Sequence, residues 1–220
     1  MSDNSKTIGI VGGGQLGRML ATSAQKLGFK TIVLDPTPHS PAGQVADEQL
    51  LGSFKDPEAI RELAKKCDVM TFEIESADAG ALHTLEEEGK PVYPSSKTLS
   101  IIKDKYSQKI FLRECGIPVA DFLDVATKDD ALFVVQEFSY PFLLKAKFDA
   151  YDGRGNALIR EEADIDPAFE KLSKSLLYAE RFVPFIKELA VIVARSTTGE
   201  IKTYPVVETV HKNNIWHIVS

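Results

Sequence analysis

Three consecutive glycines separate an apolar run at residues 7–12 from an amphipathic stretch at 15–28, in the order Gly12-Gly13-Gly14-Gln15-Leu16-Gly17. A chain that leaves a buried strand and enters a helix at once needs backbone conformations that only glycine adopts cheaply. The stretch after the turn carries Leu16, Met19, Leu20, Ser23 and Leu27 at helical spacing, and Gly28 suits its stop. A second strand over 30–34 ends at Asp35, and residues 36–43 hold three prolines and read as loop. Residues 57–66 read as a helix with proline in its first turn, 69–74 as a strand, 77–88 as a helix and 92–93 as a short strand. This alternation predicts a parallel sheet with right-handed crossovers.

Past Pro94-Ser95 the texture changes, and the domain boundary is expected there, giving domains over 1–94 and 95–220. Ser95 or Ser96 is expected to cap one long helix reaching about Glu114. Residues 141–147, 157–160, 176–180, 187–195 and 201–210 read as strands, with helices only at 129–138 and 166–173. The second part is therefore expected to be α+β with mostly antiparallel pairing.

Apolar residues make up 44% and charged residues 26% of the 220, and the net charge is −6. That balance argues against a general nucleic-acid or anionic-membrane binder, while leaving room for a local basic pocket. Cys67 and Cys115 lack metal-ligand spacing and read as thiols in a reducing compartment. No stretch approaches the roughly 20 apolar residues of a membrane span, and the polar start has no leader-like core. A cytoplasmic location is expected.

Several segments carry chemistry, each with a plainer alternative. Gly12–Gly17 fits G-x-G-x-x-G, and Asp35 stands where a ribose-binding acid would in a dinucleotide fold. The same glycines also serve simply as a tight turn, or as a cradle for a phosphorylated substrate. In Thr71-Phe72-Glu73-Ile74-Glu75 two carboxylates fall at a strand end, where alternation puts Glu73 and Glu75 on one face as acceptors for an amine or for ribose hydroxyls; the alternative is a solvated loop edge. Lys145 ends an apolar strand, which delivers a cation to a site. After it, Ala150-Tyr151-Asp152-Gly153-Arg154-Gly155-Asn156 combines glycines, whose N–H groups approach an anion closely, with a cationic fork. The run reads as a lid over a nucleoside triphosphate or as an ordinary hairpin turn. Residues 178–183 form a strand that continues extended, and an extended backbone can hydrogen-bond an adenine edge; Glu188 can take ribose hydroxyls. Lys103-Asp104-Lys105 alone reads as helix surface, and a lone His211 as structural.

Taken in order, these segments resemble the ATP-grasp enzymes, and within them the N5-carboxyaminoimidazole ribonucleotide synthase family. The carriers are Gly12–Met19, Thr71–Glu75, Asp104–Lys109, Ala150–Asn156, Tyr178–Arg181, Lys187–Ala190 and Tyr204–His211. The likeness is strongest to the fungal form, in which the synthase is the first part of a bifunctional phosphoribosylaminoimidazole carboxylase. The resemblance implies a Rossmann-like pre-ATP-grasp domain followed by an incomplete α+β ATP-grasp domain, its lid subdomain over about 118–184. It implies carboxylation of 5-aminoimidazole ribonucleotide with ATP and bicarbonate, through carboxyphosphate.

By motif position, Lys105, Lys145 and Tyr151–Asn156 would contact ATP phosphates. Glu180, Arg181, Phe182 and Val183 would form the adenine hinge, Glu188 would bind ribose, and His211 would lie near the nucleotide. Gly14, Gln15, Leu16 and Glu73, with Glu75 beside it, would hold the ribonucleotide. Tyr151, Asp152 and Arg154 would act on substrate or bicarbonate. The resemblance thereby gives the glycine turn to the substrate and not to NAD. Mg²⁺ is a family expectation whose acidic ligands would lie beyond residue 220, so no metal ligand is assigned in this chain. The expected partner is the small-molecule substrate, with no nucleic acid and no membrane, and a homodimer stays open. A non-catalytic nucleotide- or substrate-binding module of the same fold and, more remotely, an NAD-dependent oxidoreductase are the competing readings. The apolar residues Ile215, Trp216, Ile218 and Val219 are expected to hang beyond a last strand that lacks sheet neighbours.

Overall fold

In the computed structural model, which describes residues 6–148, 155–212 and 215–219 (211, 212 and 215–219 by backbone only), β1 (Thr7–Val11) lies inside a four-stranded parallel sheet. β2 (Lys30–Asp35) pairs with it from Thr7 opposite Lys30 to Val11 opposite Leu34. β3 (Glu48–Leu51), which the sequence did not announce, pairs outside β2, and β4 (Val69–Phe72) pairs on the other side of β1. A parallel bridge from Met70 to Val92 continues beyond β4.

The strands are apolar on both faces because both faces are covered. α1 (Gln15–Lys26) contributes Ala21 to a cluster with Ile10 and Val33. α2 (Pro57–Lys66) and α3 (Ala79–Glu87) contribute Ile60, Leu63, Leu82 and Leu85 to the cluster around Val11, Ile32 and Leu34. Asp56 and Asp78 cap these two helices, accepting from the N–H groups of Glu58 at 3.1 Å and Ala81 at 2.7 Å. The expected parallel α/β half is present.

The long helix expected after Ser95 is two helices, α4 (Ser96–Lys103) and α5 (Lys105–Glu114). Asp104 breaks it, with φ −102° and ψ 106°. Its Oδ1 accepts from the N–H groups of Tyr106 at 2.9 Å and Ser107 at 3.2 Å. A short acidic side chain competes with the helix for backbone donors and wins at a cap position. Leu99 of α4 is fully buried in the first core, and the N–H of Ser96 donates to Glu86 Oε1 at 3.1 Å. The compact units accordingly divide after Cys115, with α4 on the first unit and the expected boundary at 94 falling inside it.

The second unit holds β5 (Phe122–Val125), α6 (Lys128–Phe138), β6 (Phe142–Ala146), β7 (Asn156–Ile159), a 3₁₀ turn at Glu162–Asp164, α7 (Ile165–Lys171) and β8 (Leu177–Arg181). These four strands make an antiparallel sheet in the order β5-β8-β6-β7. Phe142, Leu144, Ala146 and Ala179 face α6 and α7, where Val134, Phe138, Ile165 and Ala168 complete a core. The alternate residues of β6 and β8 point to the other face, which carries the polar groups described below.

β9 (Glu188–Ala190), β10 (Val193–Arg195), β11 (Ile201–Thr203), β12 (Val207–Lys212) and β13 (Ile215–Val219) complete the unit. The strand expected over 201–210 is thus interrupted around Pro205, which lacks a ladder donor. The strand expected over 187–195 is likewise two short ones. The tail expected to hang is instead β13, paired with β12 from Lys212 opposite Ile215 to Thr209 opposite Val219, while β12 also pairs with β9.

Asp47 links α1 to β2: its Oδ2 accepts from the Thr31 N–H at 2.8 Å and from Gln25 Nε2 at 3.3 Å. The Thr31 backbone donor, ahead of the other contacts, holds its carboxyl below the usual aspartate range. A lowered folded value means that the contribution is present above the unfolded value, about 4, and lost as pH falls through the folded one. Asp47→Asn is expected to lower stability by about 0.5 kcal/mol at pH 7, a small effect because the group is exposed. Urea unfolding at pH 7 and near pH 2 checks it, the difference vanishing at the lower pH.

Candidate active site

The order of the parallel sheet reverses at β1, whose neighbours β2 and β4 lie on opposite sides, and ligands of open α/β sheets bind at the carboxyl ends of strands there. The glycine turn leaves β1 at that point, with Gly12 at φ +99°, a conformation closed to most side chains. Two carboxylates then take its N–H groups. Gly13 donates to Asp35 Oδ2 at 2.9 Å and Gly14 to Glu73 Oε1 at 2.8 Å.

Asp35 is buried, and its Oδ1 accepts from the Thr37 N–H at 2.8 Å. With one main-chain donor on each oxygen, Asp35 clamps the turn. Glu73 is half-buried, and a Cβ on Gly14 would lie 2.9 Å from its Oε1, so the bare glycine makes this approach possible. Gln15 and Leu16 begin α1 and are exposed.

Glu75 departs from expectation. β4 ends at Phe72, and the chain then turns, with the Ala77 N–H donating to the Ile74 carbonyl at 3.3 Å. Glu73 and Glu75 therefore do not share a strand face, and Glu75 is exposed on the turn.

In the second unit, Asn156, Lys145, Tyr178 and Asp124 are in register across all four strands, on the face away from α6 and α7. Tyr178 is fully buried, and Lys145 Nζ lies 5.8 Å from its ring centroid. The Glu180 carboxylate, one strand repeat further on, sits 3.5 Å from Lys145 Nζ. Both side chains are mostly shielded from water, which strengthens their attraction. Lys147 repeats the side of Lys145 two residues on, its Nζ 2.7 Å from Asp124 Oδ1. The sequence reading passed over Lys147, although a period of two from Lys145 marks it. Two lysines held by carboxylates on one sheet face form an arrangement suited to phosphate oxygens.

Gly155 is buried, its carbonyl accepting from the Ala146 N–H at 2.8 Å, and Asn156 opens β7. Phe182 and Val183 follow β8 as exposed chain outside any strand, the Val183 carbonyl accepting from the Phe185 N–H at 2.9 Å, and Glu188 begins β9 opposite Thr209. The Arg181 guanidinium is engaged within the unit: Nε lies 2.9 Å from Asp121 Oδ2, and its two terminal nitrogens donate to the carbonyls of Phe138 and Glu137. Lys105 is the first residue of α5, in the first unit. Tyr151, Asp152, Gly153 and Arg154, and the His211 side chain, lie outside the described residues. Among the described residues no three His, Cys, Asp or Glu side chains come together as a metal site.

The pattern of an ATP-grasp domain matches residues 110–220, half of the chain. The chain belongs to the ATP-grasp family. A ribonucleotide synthetase pre-ATP-grasp domain matches residues 5–103 ahead of it. Phosphoribosylaminoimidazole carboxylase of Ogataea methanolica is 46% identical over 98% of this chain and 40% of its own length. The carboxyaminoimidazole ribonucleotide synthase of Aspergillus clavatus, solved with ATP, superposes with a TM-score of 0.93 at 43% identity, over 99% of this chain and 57% of that one. A second structure of the Aspergillus clavatus synthase, in complex with ADP and 5-aminoimidazole ribonucleotide, gives 0.90 at 42% identity, over the same shares. The chain thus spans about two fifths of its curated carboxylase relative. No helix among the described residues is long and apolar enough to cross a membrane.

Gly14→Ala forces the Glu73 carboxylate away from the turn. The thermal midpoint, measured by calorimetry, is expected to fall by a few degrees.

Proposed function

We propose that these residues are the substrate-binding and nucleotide-binding parts of a cytoplasmic ligase of purine biosynthesis, one that carboxylates the exocyclic amine of 5-aminoimidazole ribonucleotide with ATP and bicarbonate. The observation that carries the proposal is the likeness, over nearly the whole chain, to an enzyme solved with ATP and with ADP plus 5-aminoimidazole ribonucleotide. In the reaction a bicarbonate oxygen attacks the γ-phosphorus of ATP and ADP leaves. The amine nitrogen then attacks the carboxyl carbon of carboxyphosphate, or the CO₂ released from it, and phosphate leaves. Phosphoryl transfer of this kind depends chiefly on positioning and charge neutralisation.

Each part of this chain has a role in the proposal. Gly14, Gln15 and Leu16 present the amino end of α1 to the substrate, and Glu73 holds its position through the Gly14 N–H while offering an acceptor. Lys145, kept in place by Glu180 and Tyr178, meets ATP phosphates. Tyr151 to Asn156 close over them, with Tyr151, Asp152 and Arg154 at the reacting groups. The exposed chain at Phe182 and Val183 receives adenine, Glu188 the ribose, and His211 lies near the nucleotide. Mg²⁺, where bound, neutralises phosphate charge.

Phosphate release with Mg-ATP and bicarbonate tests the proposal, with and without 5-aminoimidazole ribonucleotide. Release stimulated by the ribonucleotide, and lowered about a hundredfold or more in Lys145→Met, is expected of a ligase. Retained ATP binding without release would make these residues a binding module of the same fold.

A further inference from the structure

β8 ends in Arg181, between Glu180, which contacts Lys145, and the exposed residues Phe182 and Val183. All three nitrogen positions of the Arg181 guanidinium are used. Nε is 2.9 Å from Asp121 Oδ2, and the terminal nitrogens reach the Phe138 carbonyl at 3.2 Å and the Glu137 carbonyl at 3.1 Å. The guanidinium carbon stands 4.7 Å from the centre of the Phe138 ring. The two carbonyls belong to the last turn of α6, where the helix ends at Ser139 with φ +60° and such groups lack intrahelical donors. The Arg181 backbone N–H also donates to the Asp121 carbonyl at 2.9 Å.

One side chain therefore joins the start of β5, the end of α6 and the end of β8. A planar fork with fixed donors fixes direction as well as distance, which a lysine would not do. Its own strand leaves this anchor directly as the segment proposed to meet adenine.

We infer that Arg181 is a positioning residue that sets the register of the adenine-binding segment 182–183 without touching the nucleotide. The inference rests on the adenine role proposed above for that segment. Loss of the fork frees the end of β8 and shifts Phe182 and Val183, whereas Lys145 stays in the middle of the sheet with Tyr178 and Glu180. Adenine recognition should then weaken while phosphate recognition survives.

Calorimetric titration of ATP and of tripolyphosphate against the unsubstituted chain, Arg181→Gln and Asp121→Asn tests this. ATP is expected to bind about tenfold more weakly to Arg181→Gln, and more weakly than normal but by a smaller factor to Asp121→Asn, with tripolyphosphate affinity within about twofold of the unsubstituted chain in both. Equal losses for the two ligands, or unchanged ATP binding, would overturn the inference, a general loss of structure being the cause in the first case. If Arg181→Gln does not fold, the ratio of the two affinities in Asp121→Asn decides alone. An unsubstituted chain that binds ATP no tighter than tripolyphosphate would overturn the adenine role itself, and the inference with it.

Discussion

The first unit depends on two hydrogen bonds between backbone and carboxylate at the mouth of its sheet. Gly13 and Gly14 point successive N–H groups in different directions, to Asp35 at the end of β2 and to Glu73 just past β4. An N–H group at a buried turn needs an acceptor, and a carboxylate makes a strong one. The same contacts tie β1 to both neighbours at the end where the strand order reverses. They therefore fix the turn, the start of α1 and the direction of Glu73 together. Asp35 is held on both oxygens by main chain.

The second unit obtains its site by sheet amphipathicity. Phe142, Leu144 and Ala146 bury one side of β6 against two helices, and the alternate positions bring Lys145 and Lys147 to the opposite side. Both lysines are already set against carboxylates. Such pairs give modest stability, because desolvation offsets much of the attraction. What they supply is placement: a long flexible side chain is held near one position.

Much of this was legible in the sequence where one periodicity ruled. The alternation of apolar runs and helical spacing gave the parallel half, and the apolar approach to Lys145 marked a delivered cation. The misreadings came where a single side chain overrode the period. Asp104 caps a new helix inside what reads as one, and Pro205 interrupts a run of strand-forming residues. Glu75 left the expected face because β4 stops at Phe72. Arg181 falls among the residues expected at a nucleotide, and the partners of its side chain at 121, 137 and 138 are remote in sequence, so only the folded chain brings them together. β3 and β5 are four residues each, too short for alternation to stand out.

The central claim is that the carboxylate-held glycine turn receives a substrate ribonucleotide and not a dinucleotide. Calorimetric titration of the chain with 5-aminoimidazole ribonucleotide, in parallel with NADH, tests it most directly. The account predicts saturable binding of the ribonucleotide, lost in Glu73→Ala, and no heat from NADH. Saturable NADH binding that the ribonucleotide fails to displace, beside no binding of the ribonucleotide itself, would contradict it.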